Sequence, residues 1–188
     1  MPSHFRYPER QKEEAYFEDW FRGQGYKVVT LEPGRFFEGA GDLLGFPDTW
    51  FGGYRQRSDI RVFPTISQWF HREIIPLELV DNRFYHLDTC LCPLSGGELL
   101  YFPSAFDHYG QEVIAQRFAL SSRLVVPEAE ALRFACNAVC VGKHVVLPAG
   151  CPKTESLLTS RGYLPHPVAL DEFMKSGGSA KCLTLALD

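Results

Sequence analysis

The feature that most constrains the fold is one pattern that recurs at a nearly constant interval. The segments GDLLGFPDTWFGG, DTCLCPLSGGELLYFP and CNAVCVGKHVVLP each contain a short polar residue, an apolar strand, a turn and a second apolar strand. The opening residues Asp42, Asp88 and Asn137 are 46 and 49 residues apart, and a further 45 residues lead to Cys182. Recurrence at about 20–50 residues indicates stacked or radially arranged units. Units arranged around an axis would bring these four positions together at its centre.

The intervening segments predict an α/β (α+β) architecture in a single domain over residues 1–188. A helix is expected over residues 8–24, since its aromatic residues fall on one face and glycines follow. The other expected helices are TISQWFHR, YGQEVIAQRFA and TESLLTSRG, the last one closed by Gly162. The other expected strands are YKVVTLE, RLVVP and LTLAL, besides those of the repeated segments.

Composition argues against several classes of partner. The net charge is −4 and the sequence has no cluster of Lys and Arg, so no nucleic-acid partner is expected. No apolar run approaches the roughly 18 residues of a membrane span, and the N-terminus lacks the apolar region of a signal peptide. We therefore expect a cytoplasmic location, where the six cysteines are free, catalytic or metal-binding.

The segment FYHLDTCLC is open to three interpretations. Read as a strand, it places His86, Asp88, Cys90 and Cys92 on one side, because side chains alternate between faces. The functional interpretation is an acid–base histidine beside a carboxylate that binds a cation. The structural one is a buried His–Asp pair that satisfies itself. Zinc is the third, but ligands two apart on a strand converge poorly on a tetrahedral centre, so no metal is expected.

Three other segments carry weaker signals. Glu38 and Asp42 flank a glycine-rich turn in FFEGAGDLL, where the backbone can approach a ligand or simply form a tight loop with solvated acids. In GYRQRSD, Arg57 could hold a carboxylate by paired hydrogen bonds, whereas Arg55 is more typical of a surface. Asn137 could equally satisfy the backbone of a turn.

Cys182 follows two glycines and two small residues in GGSAKCLTL. A thiol here is a nucleophile if a nearby cation or helix N-terminus lowers its pKa, and is otherwise an inert buried group. The adjacent Lys181 would point to the opposite face if the segment is a strand.

Taken together, FEGAGD, RSD, HLDTCLCPL, NAVCVG and GGSAKCLTL, in this order and spacing, resemble the guanidino-group-modifying (pentein) superfamily. Its members include arginine deiminases, dimethylarginine dimethylaminohydrolases and amidinotransferases. The resemblance implies a β/α propeller of five pseudo-symmetric ββαβ units with the active site on the axis. The four opening positions correspond to about four of the five units, with most of the first unit lacking. An open sheet edge would then favour a homo-oligomer that covers it.

The resemblance also implies roles for individual residues. Cys182 attacks the guanidinium carbon, while His86 protonates the leaving amine and then activates water. The residues implied to bind the substrate are Glu38, Asp42, Arg57 and Asp88. Of these, the aspartates hold the guanidinium nitrogens, with the glutamate beside them, and the arginine grips the substrate's α-carboxylate. Asn137 is assigned a structural role.

The expected function is therefore Cys-dependent hydrolysis of the guanidino C–N bond of an arginine or methylarginine derivative. The path runs through a covalent amidino-thioether on Cys182 and requires no cofactor. Two alternatives remain open: an amidinotransferase that uses the same residues with an amine acceptor, and an impaired remnant that binds arginine-like ligands or a partner.

Overall fold

The computed structural model describes residues 1–186, in which nine strands form three separate three-stranded sheets. The first sheet contains β1 (Leu43–Gly45), β2 (Thr49–Tyr54) and β3 (Glu73–Glu78). The second contains β4 (Leu91–Pro93), β5 (Leu99–Tyr101) and β6 (Arg123–Val125). The third contains β7 (Val139–Val141), β8 (His144–Pro148) and β9 (Leu164–Val168).

All three sheets are built in the same way. The first two strands pair antiparallel as a hairpin, and the third pairs parallel to the second after a helical crossover. The crossover helices are α3 (Phe63–Phe70), α4 (His108–Arg117) and α6 (Pro152–Ser160). The opening strands begin at Leu43, Leu91 and Val139, each 48 residues after the last. The predicted ββαβ repeat and the α+β fold class are thus confirmed, with three complete units among residues 1–186 where about four were expected.

Four further α-helices are present among the described residues, besides short 3-10 turns: α1 (Pro8–Gln11), α2 (Glu13–Gly23), α5 (Glu128–Ala131) and α7 (Asp171–Met174). The helix predicted over residues 8–24 is therefore present as α1 and α2. Local signals set several boundaries. Asp107 caps α4 by accepting a hydrogen bond from the Gly110 amide, and Gly162 follows α6 with a φ of 81°.

The opening strands of the units lie side by side, because β4 packs against both β1 and β7. Apolar residues from the strands of all three sheets, together with those of the crossover helices α4 and α6, form the main core. Its fully buried members include Leu77, Leu91, Leu100, Ile114 and Leu147. This packing places the polar residues just before the opening strands around a common centre.

Two predicted strands are wrong within the described residues. Residues 26–32 (YKVVTLE) form no regular structure, and LTLAL begins inside a 3-10 turn, Lys181–Leu183, with residues 184–186 outside any strand. Leu187 lies beyond the described residues. Strand propensity expresses how a side chain packs in an existing sheet, so apolar, β-branched residues without a paired neighbour do not make a strand.

Among residues 1–186, no helix has both the length and the apolar character needed to cross a bilayer.

Candidate active site

A cavity of about 560 Å³ opens at the centre, next to the opening strands. Five of the six predicted site residues line it: Glu38, Arg57, His86, Asp88 and Cys182. They come from three distant stretches of the chain, and the repeated units bring them together. The sixth, Asp42, is not on the cavity wall.

Glu38 lies between two cationic side chains. One oxygen, Oε2, is 2.9 Å from His86 Nε2 and 3.0 Å from Arg57 Nη1, and Oε1 accepts a hydrogen bond from the Arg6 amide. Burial of the carboxylate opposes its ionisation, but the hydrogen bond and charge of His86 and the charge of Arg57 prevail, so the pKa of Glu38 is lowered. Both oxygens are therefore engaged by the protein itself.

His86 is held by this contact and by close packing. Burial disfavours its charged form, yet the hydrogen bond to Glu38 and the charges of Asp42 and Asp88 raise the pKa of His86 above its ordinary value. A Cβ added at Gly41 would lie 2.8 Å from His86 Nδ1, so only glycine leaves this side of the ring free. Since Glu38 occupies Nε2, Nδ1 is the nitrogen available for proton exchange.

The local backbone of HLDTCLC differs from the predicted strand. His86 is extended (φ −126°, ψ 156°), and a 3-10 turn over Leu87–Thr89 follows before β4 begins. The turn presents His86 and Asp88 to the cavity, whereas Cys90 and Cys92 are buried in the core. Burial raises the pKa of both these thiols, to about 12 for Cys92. The predicted common face of four residues is wrong.

Asp88 is a buried carboxylate with an unused oxygen. Only 4% of the residue is exposed, and Oδ1 has no hydrogen-bond partner within residues 1–186. Oδ2 lies 3.8 Å from the Cys182 sulfur. Burial is the main cause that raises the pKa of Asp88 to about 6. A buried carboxylate with an unpaired oxygen is costly, so this position is suited to a cationic ligand.

Cys182 sits in the Lys181–Leu183 turn, and Asn137 fixes that turn. The Asn137 Oδ1 atom accepts hydrogen bonds from the amides of Lys181 (3.1 Å) and Cys182 (3.3 Å). Its Nδ2 donates to the Asp88 carbonyl at 3.1 Å. Asn137 thereby links Cys182 to the 3-10 turn before β4, which carries Asp88. Cys182 as a residue is exposed, but partial burial of its thiol, followed by the charge of Asp88, raises the pKa of Cys182.

Asp42 occupies a different place from the one predicted. It is fully buried, with Oδ2 accepting from the Ser58 hydroxyl at 2.6 Å and Oδ1 from the Leu87 amide at 2.9 Å. Both oxygens are already used, and the side chain does not reach the cavity. In this arrangement it cannot contact a guanidinium.

Several residues on the cavity were not singled out for it from the sequence. Lys181 was expected on the opposite face from Cys182, but a turn replaces the strand and both residues line the cavity. Tyr85 donates a hydrogen bond to the Gly177 carbonyl, and its ring lies 5.0 Å from the Arg57 guanidinium carbon. Burial raises the pKa of Tyr85 to about 12. The alternation of a strand had placed Tyr85 away from His86. Arg55, by contrast, forms a surface ion pair with Glu78.

Comparison with known proteins identifies relatives over nearly the whole chain, although no protein-family model matches it. The chain is 45% identical over 185 residues to the bifunctional arginine dihydrolase/ornithine cyclodeaminase AgrE of Nostoc sp., which covers 97% of this chain and 26% of AgrE. It is 39% identical over 183 residues to N(G),N(G)-dimethylarginine dimethylaminohydrolase of Mycobacterium tuberculosis, and the match covers 97% of this chain and 59% of that protein. The solved N-terminal domain of ArgZ, an arginine dihydrolase of cyanobacteria, matches with a TM-score of 0.97 and 44% identity over 99% of this chain and 69% of that one.

Three ββαβ units whose opening strands converge on a cysteine-containing cavity match the solved ArgZ domain, and the relatives carry the names of arginine and dimethylarginine hydrolases. The chain belongs to the guanidino-group-modifying, or pentein, superfamily. It spans about a quarter of the length of AgrE and 59% of the length of the mycobacterial relative.

Proposed function

We propose that the chain acts as a Cys-dependent hydrolase of the guanidino C–N bond of an arginine or methylarginine derivative. The observation that carries the proposal is the buried Asp88 carboxylate, with Oδ1 unpaired and Oδ2 3.8 Å from the Cys182 sulfur. A guanidinium that donates hydrogen bonds to Asp88 would present its planar carbon next to that sulfur. Holding the reacting groups at such a distance supplies several kcal/mol of the barrier.

The substrate's own charge completes the nucleophile. In the free protein, burial and the charge of Asp88 raise the pKa of the Cys182 thiol. A bound guanidinium neutralises the influence of Asp88 and adds a positive charge, so the pKa of the thiol falls and its proton is released. Thiolate therefore forms when the electrophile is in place.

The reaction then proceeds in two balanced steps. The Cys182 thiolate forms a C–S bond with the guanidinium carbon, and the C–N bond to the leaving amine breaks as His86 Nδ1 gives that amine a proton. Water then attacks the resulting amidino-thioether, His86 accepts its proton, and the C–S bond breaks to restore the thiolate. The products are an amine and a urea-type compound. The raised pKa of His86 favours the protonated imidazole that the first step requires.

Within this proposal Glu38 orients His86 and does not bind the guanidinium directly, because both its oxygens are occupied. Arg57 is proposed to bind the substrate's α-carboxylate through the N–H groups that do not face Glu38. Asp42 supports the site through its hydrogen bonds with Ser58 and Leu87. These assignments revise the substrate-binding roles predicted for Glu38 and Asp42.

The names of the relatives support an arginine-type substrate. AgrE and ArgZ are arginine dihydrolases, and the mycobacterial relative is a dimethylarginine dimethylaminohydrolase. One structure of a variant ArgZ N-terminal domain is of the protein covalently bonded to a reaction intermediate. That observation favours a covalent path over direct attack by water.

A panel of guanidino compounds tests the proposal. Arginine and its methylated derivatives are incubated with the chain, Cys182→Ser and the control Cys140→Ser, which alters a partly exposed cysteine outside this cavity. We expect a urea-type product from the parent and the control only, and an adduct mass on the Cys182 peptide after acid quench. Turnover that persists in Cys182→Ser would refute the mechanism. Adding an amine acceptor distinguishes amidino transfer from hydrolysis, and substrate binding without turnover would identify an impaired remnant.

We also propose a cytoplasmic homo-oligomer without a nucleic-acid partner. Apolar residues exposed on the third sheet, Val141 at 69% and Leu164 at 51%, support association with another copy. Light scattering at several protein concentrations tests it, and a monomer mass throughout would refute it.

A further inference from the structure

A series of buried hydrogen bonds beneath the cavity connects the backbone near Glu38 with the backbone near His86. The Glu38 amide donates to Ser58 Oγ at 3.0 Å, and the Ser58 hydroxyl donates to Asp42 Oδ2 at 2.6 Å. The other oxygen of Asp42 accepts from the Leu87 amide at 2.9 Å. Leu87 is the residue after His86. The series of hydrogen bonds thus begins at the backbone of Glu38 and ends at the backbone of Leu87, beside His86.

Chemistry sets the direction of each bond. An amide can only donate, so Ser58 Oγ and Asp42 Oδ1 are both acceptors at the two ends. The hydroxyl has one proton, and the Asp42 carboxylate is the acceptor within reach. Ser58 is 1% exposed and Asp42 0%, so water does not replace a lost partner without rearrangement.

The Glu38–His86 contact, which this series of hydrogen bonds supports, joins two segments that are far apart in the sequence. The Glu38–His86 hydrogen bond spans 48 residues and has no help from local secondary structure. Its length of 2.9 Å depends on where two short 3-10 turns, Gly39–Gly41 and Leu87–Thr89, hold their flanking residues. Asp42 ends the first turn and anchors the start of the second, and Ser58 ties Asp42 to the backbone of Glu38.

We propose that Ser58 is a positioning residue whose hydroxyl, through Asp42, holds the Glu38 carboxylate against His86. It acts on the reaction only through these groups and does not line the cavity. The inference rests on the proposed function for its effect on turnover. Its effect on the geometry of the His86–Glu38 pair does not depend on any substrate.

The test compares Ser58→Ala with Ser58→Thr, which keeps the hydroxyl, and Ser58→Cys, which nearly keeps the volume but donates weakly. Ser67→Ala is the matched control, because that hydroxyl bonds an exposed backbone carbonyl away from the cavity. The substrate-independent readout is the pKa of the His86 imidazole from NMR titration. The charged and titratable groups that face this ring are Glu38, Asp42, Tyr85 and Asp88.

In Ser58→Ala we expect the pKa of His86 to fall by about 1, because the contact with Glu38 loosens. The kcat should fall at least about tenfold with KM nearly constant, and the acidic limb of the pH profile should move with the His86 pKa. Ser58→Thr should restore both, Ser58→Cys should resemble alanine, and Ser67→Ala should match the parent.

An unchanged pKa of His86 in folded Ser58→Ala would overturn the inference, even if the variant is less stable. If Ser58→Ala does not fold, the same comparison is made with Ser58→Cys, whose side chain has nearly the volume of serine. Should the parent itself fail to convert any guanidino compound, the proposed function fails. The His86 titration still decides the role of Ser58 in that case.

Discussion

Replacing Asp88 with asparagine separates three properties of the site that this carboxylate controls. The substitution keeps the size of the side chain and removes its charge. In the structure, Asp88 Oδ2 is 3.8 Å from the Cys182 sulfur, and the pKa of Asp88 is about 6, so the carboxylate is ionised at pH 8. Its loss should therefore change the thiol, the turnover and the stability in different directions.

The effect on the thiol follows from Coulomb's law. Two unit charges about 4 Å apart interact by about 4 kcal/mol at an effective dielectric constant of about 20, and by about 1 kcal/mol in bulk water. At about 1.4 kcal/mol for each tenfold change in ionisation, Asp88→Asn should lower the pKa of the Cys182 thiol by about 1 to 3. Turnover should nevertheless fall by about 100-fold or more, because the charged anchor of the guanidinium is lost.

Stability should increase. Folding raises the pKa of Asp88 from an ordinary 3.8 to about 6, so the ionised group opposes folding above pH 6 by about 3 kcal/mol. As the pH falls through 3.8 the group becomes protonated in both states and the opposition disappears. Asparagine still buries a polar group without a partner, so we expect a gain of about 1–3 kcal/mol at pH 8 and almost none at pH 4.

The assay for the thiol is alkylation by neutral iodoacetamide as a function of pH, read by mass spectrometry on the Cys182 peptide. Four of the other five cysteines are buried, and Cys140 is partly buried. Urea denaturation at pH 8 and pH 4 gives the free energy of unfolding. Asp19→Asn is the control, because its carboxylate is 83% exposed. An Asp88→Asn protein with an unchanged alkylation profile and unchanged stability at pH 8 would refute the assignment of a charged, desolvated carboxylate beside the sulfur.

Three further outcomes are expected. Gly41→Ala places a methyl group 2.8 Å from His86 Nδ1, so kcat should fall at least about tenfold while circular dichroism stays unchanged; full activity would show that Nδ1 is not the reacting nitrogen. Tyr85→Phe removes the hydrogen bond to the Gly177 carbonyl and should destabilise the protein by about 1 kcal/mol, with faster amide exchange in residues 176–180; unchanged exchange there would contradict it. Because folding raises the pKa of His86, the protonated imidazole stabilises the fold fully below about pH 6.5, and this stabilisation is lost as pH rises through the folded pKa. In denaturant titrations, His86→Gln should therefore cost more stability at pH 6 than at pH 9, and an equal cost would count against the raised pKa.

Much of the fold can be predicted from the sequence because its repeated elements are local. The hairpin segments, the crossover helices and the capping at Gly162 depend on residues within a few turns of one another. The nearly constant spacing of Asp42, Asp88, Asn137 and Cys182 predicted convergence on a centre. Three of these four positions do meet there: Asn137 bonds the backbone at Asp88 and at Cys182.

The wrong strands illustrate the opposite case. Residues 26–32 have the composition of a strand, but strand formation requires a paired neighbour, which composition cannot supply. In the same way, the alternation of a strand does not hold along FYHLDTCLC, because a 3-10 turn interrupts it. The turn arises from contacts with other segments, including the bond from Leu87 to Asp42.

The residue types that could modify a guanidino group, and their order along the chain, were determined by the sequence alone. Which carboxylate is free to bind a cation was decided only by the tertiary structure. Glu38, Asp42 and Asp88 are chemically alike, yet Glu38 is taken by His86 and Arg57, Asp42 by Ser58 and Leu87, and only Asp88 keeps an unpaired oxygen on the cavity among the three. The physical reason is that hydrogen-bond saturation and desolvation depend on neighbours brought from distant parts of the chain, which no local pattern encodes.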